Sequence, residues 1–513
     1  MSSYGREPLK REEQVLVIGA GIAGLCTALA LAPTGRKIVI LERDDEPPAG
    51  DTDEAFRDWK RKGVGHLRQS HAFLARLHNI IRDEHPELLA DLLAAGCREI
   101  TFADMLTEAQ RATYQPEPGD HDLTILTSRR TTLELLIRRY VQRQPNVELR
   151  SGTLVHSLTT TPSNGGPTVV TGVTIEDADG RSDLAADLVI DAGGKSSQII
   201  ESLIEAGAPI REDTETAGIL YFTRHYRLLP GVGEPPRGKI PPSGDLGFLK
   251  FGVFPADNGC FSITVCVPEI EMELRKAIFH PETFHSICLQ MPGLAPWLAP
   301  DVSEPTTKVF GMGDLHGRWR DLITEDGKPA VLGYLCLGDA LVRTNPLYGR
   351  GCSFAAVGAY VIRQALDASE DPAERLRLYD AALKTEIRPF FEDMRTQDRS
   401  AIRRARAALT PGYKPRLKAR LAQSFVEDGI RIAVRSDVGL MRQAMRGFHM
   451  LEHPSAWLKK PSNMMRVLGY WARGKKANAA AYPPNPGPER EALMRGLGLS
   501  PEADMRSDWR EAA

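Results

Sequence analysis

What this sequence lacks sets its first limits. Its 513 residues carry 65 Lys and Arg against 67 Asp and Glu, so no overall charge excess marks a nucleic-acid binder or a strongly acidic protein, and no nucleic-acid motif appears. The seven cysteines, Cys26, Cys97, Cys260, Cys266, Cys288, Cys336 and Cys352, are odd in number and form no CxxC pair, which argues against a disulfide framework and reads as reduced thiols in a cytoplasmic protein. The N-terminal MSSYGREPLKREEQ has no apolar core of a secretory signal. Val15 to Ala32 runs 18 residues without a charge, but three glycines interrupt it and Arg36 and Lys37 open the next apolar run, so it does not read as a bilayer span. Four histidines, His66, His71, His78 and His85, crowd one stretch without HExxH or other ligand spacing, so no metal site is expected.

What is present begins at Gln14. Four apolar residues, Val15 to Ile18, run into Gly19, Gly21 and Gly24 at GxGxxG spacing. An Ala/Leu-rich helical segment follows to Ala32, and a second apolar run, Ile38 to Leu41, ends in Glu42. This is strand, tight turn, helix, strand. Gly19 permits the sharp turn, Gly21 lets backbone approach a pyrophosphate, and Gly24 lets helix and strand pack closely. The helix N-terminus offers free N–H groups and a positive dipole end to phosphate. Glu42, about twenty residues on, is placed to accept hydrogen bonds from an adenosine ribose. The expectation is a dinucleotide-binding unit.

Further along, His66 to Cys97 predicts two amphipathic helices broken near His85 and Pro86. Leu123 to Thr127 reads as a strand, and Ser128 as the cap of a helix over TSRRTTLELLIRRYVQ. Strands follow at 147–149, 153–158 and 169–176, with turns at Asn164–Gly165 and Asp179–Gly180. DLVIDA, residues 187–192, is a short buried strand ending in Gly193 and Gly194. From Gly218 to Val267 the aromatic-rich runs ILYFTRHYRLL, GFLKFGVFP and CFSITVCVP alternate, which predicts an antiparallel sheet in a second region. GMGDLHG at 311–317 opens no apolar helix and reads as a plain loop, so no separate nicotinamide domain is inferred.

The order of three glycine sites carries a resemblance. The Gly19 turn, DLVIDAGG at 187–194 and LGDALVRTNPLYGRG at 337–351 resemble the three fingerprints of FAD-dependent monooxygenases of the para-hydroxybenzoate hydroxylase superfamily. NPLYGRG and RKGVGHLRQSHAFLARL are similar to its bacterial branch of polyether epoxidases and polyprenyl-phenol hydroxylases. The resemblance covers residues 14–395. It implies an α/β fold: a discontinuous Rossmann-type FAD-binding domain (1–75, 110–211 and 325–395), an antiparallel β-sheet substrate domain (76–109 and 212–324), and a helical C-terminal region (396–513).

Carried over by position, Gly19, Gly21, Gly24 and Glu42 hold the ADP half of FAD, and Arg43 flanks the adenine. Arg130, with Arg129 as its rival, opens the helix that touches the cofactor, and Arg68 matches a basic residue in the loop before the long helix. Asp191 and Gly194 match a motif tied to flavin and reduced nicotinamide. Gly338 and Asp339 match the ribityl-binding turn, and Pro346, Gly349 and Gly351 the loop beside the isoalloxazine. Two positions depart from the pattern: Gly193 stands where many relatives carry a polar residue, and Cys352 where close relatives often carry Met. The activity implied is hydroxylation or epoxidation of an apolar or aromatic substrate through a flavin C4a-hydroperoxide, using molecular oxygen and electrons from NAD(P)H or a partner flavin reductase. A reductase or halogenase on the same scaffold, or a non-catalytic FAD-binding redox protein, are the rivals; the halogenase WxWxIP is absent.

The substrate is expected between flavin and sheet. On the strand at 261–267, Phe261, Ile263, Val265 and Val267 share one face and Ser262, Thr264 and Cys266 the other, so one packs while the other lines a cavity. Tyr221, Phe222, Tyr226, Phe248 and Phe251 suggest, as a group, an apolar or aromatic ligand. Arg403 to Lys476 carries 17 Lys and Arg against four acids. It is either a solvated helical face or, with Trp457, Tyr470 and Trp471, a contact for the inner face of an anionic membrane.

Overall fold

The computed structural model describes residues 13–162, 166–236, 238–409 and 415–501. The apolar strand Gln14–Ile18 lies in the middle of a five-stranded parallel sheet, ordered Tyr334–Cys336, Leu188–Asp191, Gln14–Ile18, Lys37–Leu41, Val147–Arg150. Helices Ile22–Leu31 and Gly351–Ala368 pack into the same core, which explains why the central strands read as continuous apolar runs rather than alternating ones. Because the strands are parallel and adjacent, the turns after Ile18, Asp191 and Cys336 emerge at one edge of the sheet.

The second region is an antiparallel sheet ordered Ser243–Asp245, Lys250–Pro255, Cys260–Pro268, Ile219–Leu228, Ser303–Pro305, with Phe310–Met312 also paired to Ile219–Leu228. One face of it packs on the helices Met272–Ala277 and Pro281–Leu289. A small sheet of Arg211–Thr216, His316–Asp321 and Val342–Arg343 lies between the two regions in the chain path.

Several expectations hold, and several shift. The helices Ala75–Glu84 and Pro86–Ala94 break at His85 and Pro86 as predicted, since proline is tolerated only in a first turn. Their Leu77, Ile81, Leu88 and Leu92 lie in the larger core with the parallel sheet, not in the core of the antiparallel one. The turn at Gly180, φ +107°, joins Thr168–Asp177 to Gly180–Ala185, whereas the Asn164–Gly165 turn lies outside the described residues. Leu123 ends a 3-10 turn, leaving only Ile125–Thr127 as strand. Ser128 is not the helix cap: its hydroxyl donates to the Arg129 carbonyl, and Arg129 precedes the helix Arg130–Gln142. GMGDLHG is not a plain loop, for Phe310–Met312 and His316–Asp321 are strands joined through Asp314 at φ +53°.

The described part of the C-terminal region is mostly helical and is anchored at two points. Arg442 bonds Asp120 at 2.5 Å, and Arg490 grips the fully buried Glu271 at 2.7 and 3.0 Å. Among the described residues no helix is long and apolar enough to cross a membrane.

Candidate functional site

The three glycine turns interlock. Gly19 has φ +95°, and a Cβ there would meet the Ala192 carbonyl at 2.8 Å; a Cβ on Gly338, φ +60°, would lie 2.7 Å from that of Ala23. Gly24 is packed directly on Gly19. Gly21 differs: its nearest neighbour would be the Arg61 guanidinium at 3.9 Å. The helix Ile22–Leu31 starts at Gly21 without a side-chain cap, so its first N–H groups face that open side.

Glu42 is buried beside this turn. It accepts from the Ala20 N–H at 2.7 Å and the Asp44 N–H at 2.9 Å, and pairs with Arg61 at 3.0 Å. Arg61, absent from the sequence reading, also meets Glu134 at 3.1 Å. Burial opposes its charge, yet Glu134, Glu42 and Asp44 more than offset this and raise its pKa. Nothing local distinguishes Arg61 from Arg57, Lys60 or Lys62 in the sequence. Arg43 is exposed, its guanidinium against Gly63. Arg68 commits Nε and Nη2 to the carbonyls of Phe56 and Arg57, at 3.0 and 3.1 Å, capping the helix Thr52–Asp58.

The two rival arginines separate cleanly. Arg129 is bound to the fully buried Asp257, through its backbone N–H at 2.7 Å and its guanidinium at 2.5 Å. Arg130 donates to His66 Nε2 and to Glu134, each at 2.9 Å, and its Nε has no hydrogen-bond partner among the described residues. Burial, then Arg130, push His66 well below the usual imidazole pKa, so it serves as a neutral acceptor. His71 is pushed down to about 3 by the same two causes. Its Nδ1 sits 2.9 Å from the Gln69 carbonyl and therefore carries the proton.

Asp191 is fully buried and saturated by the chain itself, accepting from Gly193 N–H at 2.8 Å, Ser197 Oγ at 2.6 Å and Tyr334 OH at 2.9 Å. It fixes the glycine turn, in which Gly194 has φ +74° with nothing near its missing Cβ. Asp339 is the opposite case. Its carboxylate has no hydrogen-bond partner among the described residues, is only partly covered, and is pushed up by burial against the pull of Arg343 and Arg130. An unpartnered acid and an unpartnered guanidinium nitrogen beside an uncapped helix N-terminus fit a ligand that supplies hydroxyls and phosphates.

The next turn, Pro346–Tyr348, leads through Gly349, φ +64°, to Gly351, where the uncapped helix Gly351–Ala368 begins. A Cβ on Gly349 would come 3.3 Å from the Ala72 carbonyl. The turn is held from two sides. Asn345 accepts from Tyr221 OH at 2.6 Å and donates to Asp398 at 2.8 Å, and Tyr348 OH donates to Asp398 at 2.9 Å. Burial raises Asp398 to about 6.

Tyr221, Cys266, Lys250 and Met312 stand in one register row and so share the sheet face that meets this turn. Of the five nominated aromatics, only Tyr221 is on it; Phe222, Tyr226, Phe248 and Phe251 fill the core on the far side with Phe261, Ile263, Val265 and Val267. The Ser262 and Thr264 positions are not open cavity wall. Ser70 bonds both at 2.6 Å, and Gln69 bonds Thr223 at 2.6 Å, so the 66–73 loop is stitched across them.

Residues 14–227 match the DAO family model, described as FAD dependent oxidoreductase. Protein Rv3254 of Mycobacterium tuberculosis is 27% identical over 382 residues, spanning 70% of this chain and 73% of that protein. PqsL, a probable FAD-dependent monooxygenase from Pseudomonas aeruginosa, superposes with a TM-score of 0.55 at 18% identity, covering 78% of this chain and 99% of PqsL. The p-nitrophenol 4-monooxygenase PnpA of Pseudomonas putida superposes with a TM-score of 0.54 at 18% identity, covering 86% and 98%.

Proposed function

We propose that this chain, which carries an FAD-dependent oxidoreductase domain, is a flavoprotein monooxygenase acting on a small aromatic or otherwise apolar organic molecule. The observation that carries the reading is the 2.6 Å bond from Tyr221 on the antiparallel sheet to Asn345 at the head of the Pro346–Gly351 turn. It sets a sheet face directly against the turn assigned to the flavin ring.

In this reading Gly19, Gly21, Gly24 and Glu42 hold the ADP part with Arg43 beside the adenine, Arg130 and Arg68 touch the cofactor, Gly338 and Asp339 hold the ribityl chain, and Pro346, Gly349 and Gly351 the ring, with Asp191 and Gly194 shaping the adjoining turn. Bound FAD would supply oxygen activation, taking electrons from NAD(P)H or a partner reductase. The chain's part is to orient the substrate and exclude water. Ile219, Tyr221, Cys266 and Leu315 form a buried apolar patch bordered by Met312 and Leu347, suited to an apolar ring lying against the turn. PqsL has been crystallised in complex with 2-aminobenzoylacetate, and this supports a small aromatic substrate.

The test is the visible spectrum of purified protein during anaerobic addition of NADPH, with NADH in parallel, followed by oxygen. A flavin spectrum that bleaches and, with a productive aromatic compound, incorporates one atom of labelled oxygen supports the reading. Protein unable to retain FAD after reconstitution overturns it, and flavin that reduces a substrate's double bond without oxygen insertion assigns a reductase.

A further inference from the structure

The basic C-terminal stretch carries a surface that the catalytic reading does not use. Every residue from Pro415 to Gln423 is exposed, including Leu417 at 69% and Leu421 at 51%, although an amphipathic helix ordinarily buries its apolar stripe. The helix Pro461–Ala477 likewise exposes Met465 at 69% and Leu468 at 37%, three residues apart on one side. The two helices are joined through Trp471, which donates to Ser424 Oγ at 3.1 Å and meets Phe425 edge to face. Trp457 is buried with Ala433, Leu440 and Val467, so neither tryptophan is free to reach a partner. What remains outward is aliphatic and cationic: Arg416, Lys418, Arg420 and Lys476 have no acidic partner among the described residues.

We propose that the exposed faces of helices Leu417–Ser424 and Pro461–Ala477 dock this protein on an anionic lipid bilayer. Exposed leucines and methionine gain by entering the headgroup boundary, and the flanking cations are attracted to the lipid charge, each strengthening attachment about fivefold. Nucleic acid would use stacking aromatics, and both tryptophans here are held by contacts within the chain.

The experiment sediments the FAD-loaded full chain with vesicles of phosphatidylcholine alone and of phosphatidylcholine mixed with phosphatidylglycerol. Binding is expected only to the mixed vesicles, weakened by high salt, and reduced at least about tenfold in Leu417→Glu/Leu421→Glu and in Lys418→Gln/Arg420→Gln, both at solvent-exposed positions. Absence of binding to mixed vesicles, equal binding to neutral ones, or indifference to both variants would overturn it. A vesicle-free dimer dissolved by Leu417→Glu/Leu421→Glu would assign the face to a second copy instead.

Discussion

A Cβ atom placed on Gly24 would lie 1.8 Å from the carbonyl oxygen of Gly19. Gly24→Ala cannot be accommodated by a side-chain shift, because the obstacle is backbone of the turn itself. A loss above about 3 kcal/mol and recovery of little flavin-bearing protein are expected. Gly21→Ala, with only the Arg61 guanidinium at 3.9 Å, should fold and melt normally yet bind FAD weakly. Thermal melting and the flavin-to-protein absorbance ratio separate the two.

Asp339 is strained in charge rather than in geometry. Its folded pKa is raised, so the carboxyl contributes most below its ordinary value of 3.8 and costs stability as pH rises and it ionises without a partner. Asp339→Asn should therefore melt at or above the parent temperature at pH 7 in the flavin-free form. The same change should weaken FAD binding about tenfold or more, read by fluorescence titration.

The adjacent arginines should fail differently. Arg129→Met strands Asp257, which is fully buried, and a loss of about 3–5 kcal/mol in denaturant unfolding is expected. Arg130→Met leaves Glu134 its Arg61 partner, so its stability loss should be smaller while its FAD affinity falls. Equal stability losses in the two variants would show that Arg130 is structural.

Acid should unfold the loop that crosses the sheet. His71, pushed down to about 3, and His225, to about 4, are neutral in the fold, while an ordinary imidazole takes its proton near 6.5. The depressed values mean stability present above 6.5 and lost as pH falls toward 4. Each should cost about 2 kcal/mol at pH 5, so melting temperature should drop steeply between pH 6.5 and 5 and less steeply in His225→Phe.

The parallel core was legible in the sequence because strands covered on both faces are apolar at every position, as Val15 to Ile18 and Ile38 to Leu41 are. The alternation of Phe261 to Val267 likewise revealed two faces. It did not reveal what covers the polar one, since Ser70 and Gln69 arrive from about 150 to 190 residues away. The same limit hid Arg61, one cation among several in a charged loop until folding surrounds it with Glu42 and Glu134. The aromatic cluster misled for a related reason: residues that fill a core and residues that line a site share one composition, and only Tyr221 proved to face the turn.

Leu493 and Met494, fully buried, complete the hydrophobic interior beneath the antiparallel sheet, and Arg490 neutralises Glu271 there. During synthesis on the ribosome, strands made some 230 residues earlier must wait for these side chains, which are made after them. The parallel sheet, complete by Cys336, can assemble first, which leaves the antiparallel half as a late-closing interior. Shortening the chain before residue 490 would thus remove part of that interior rather than trim a tail.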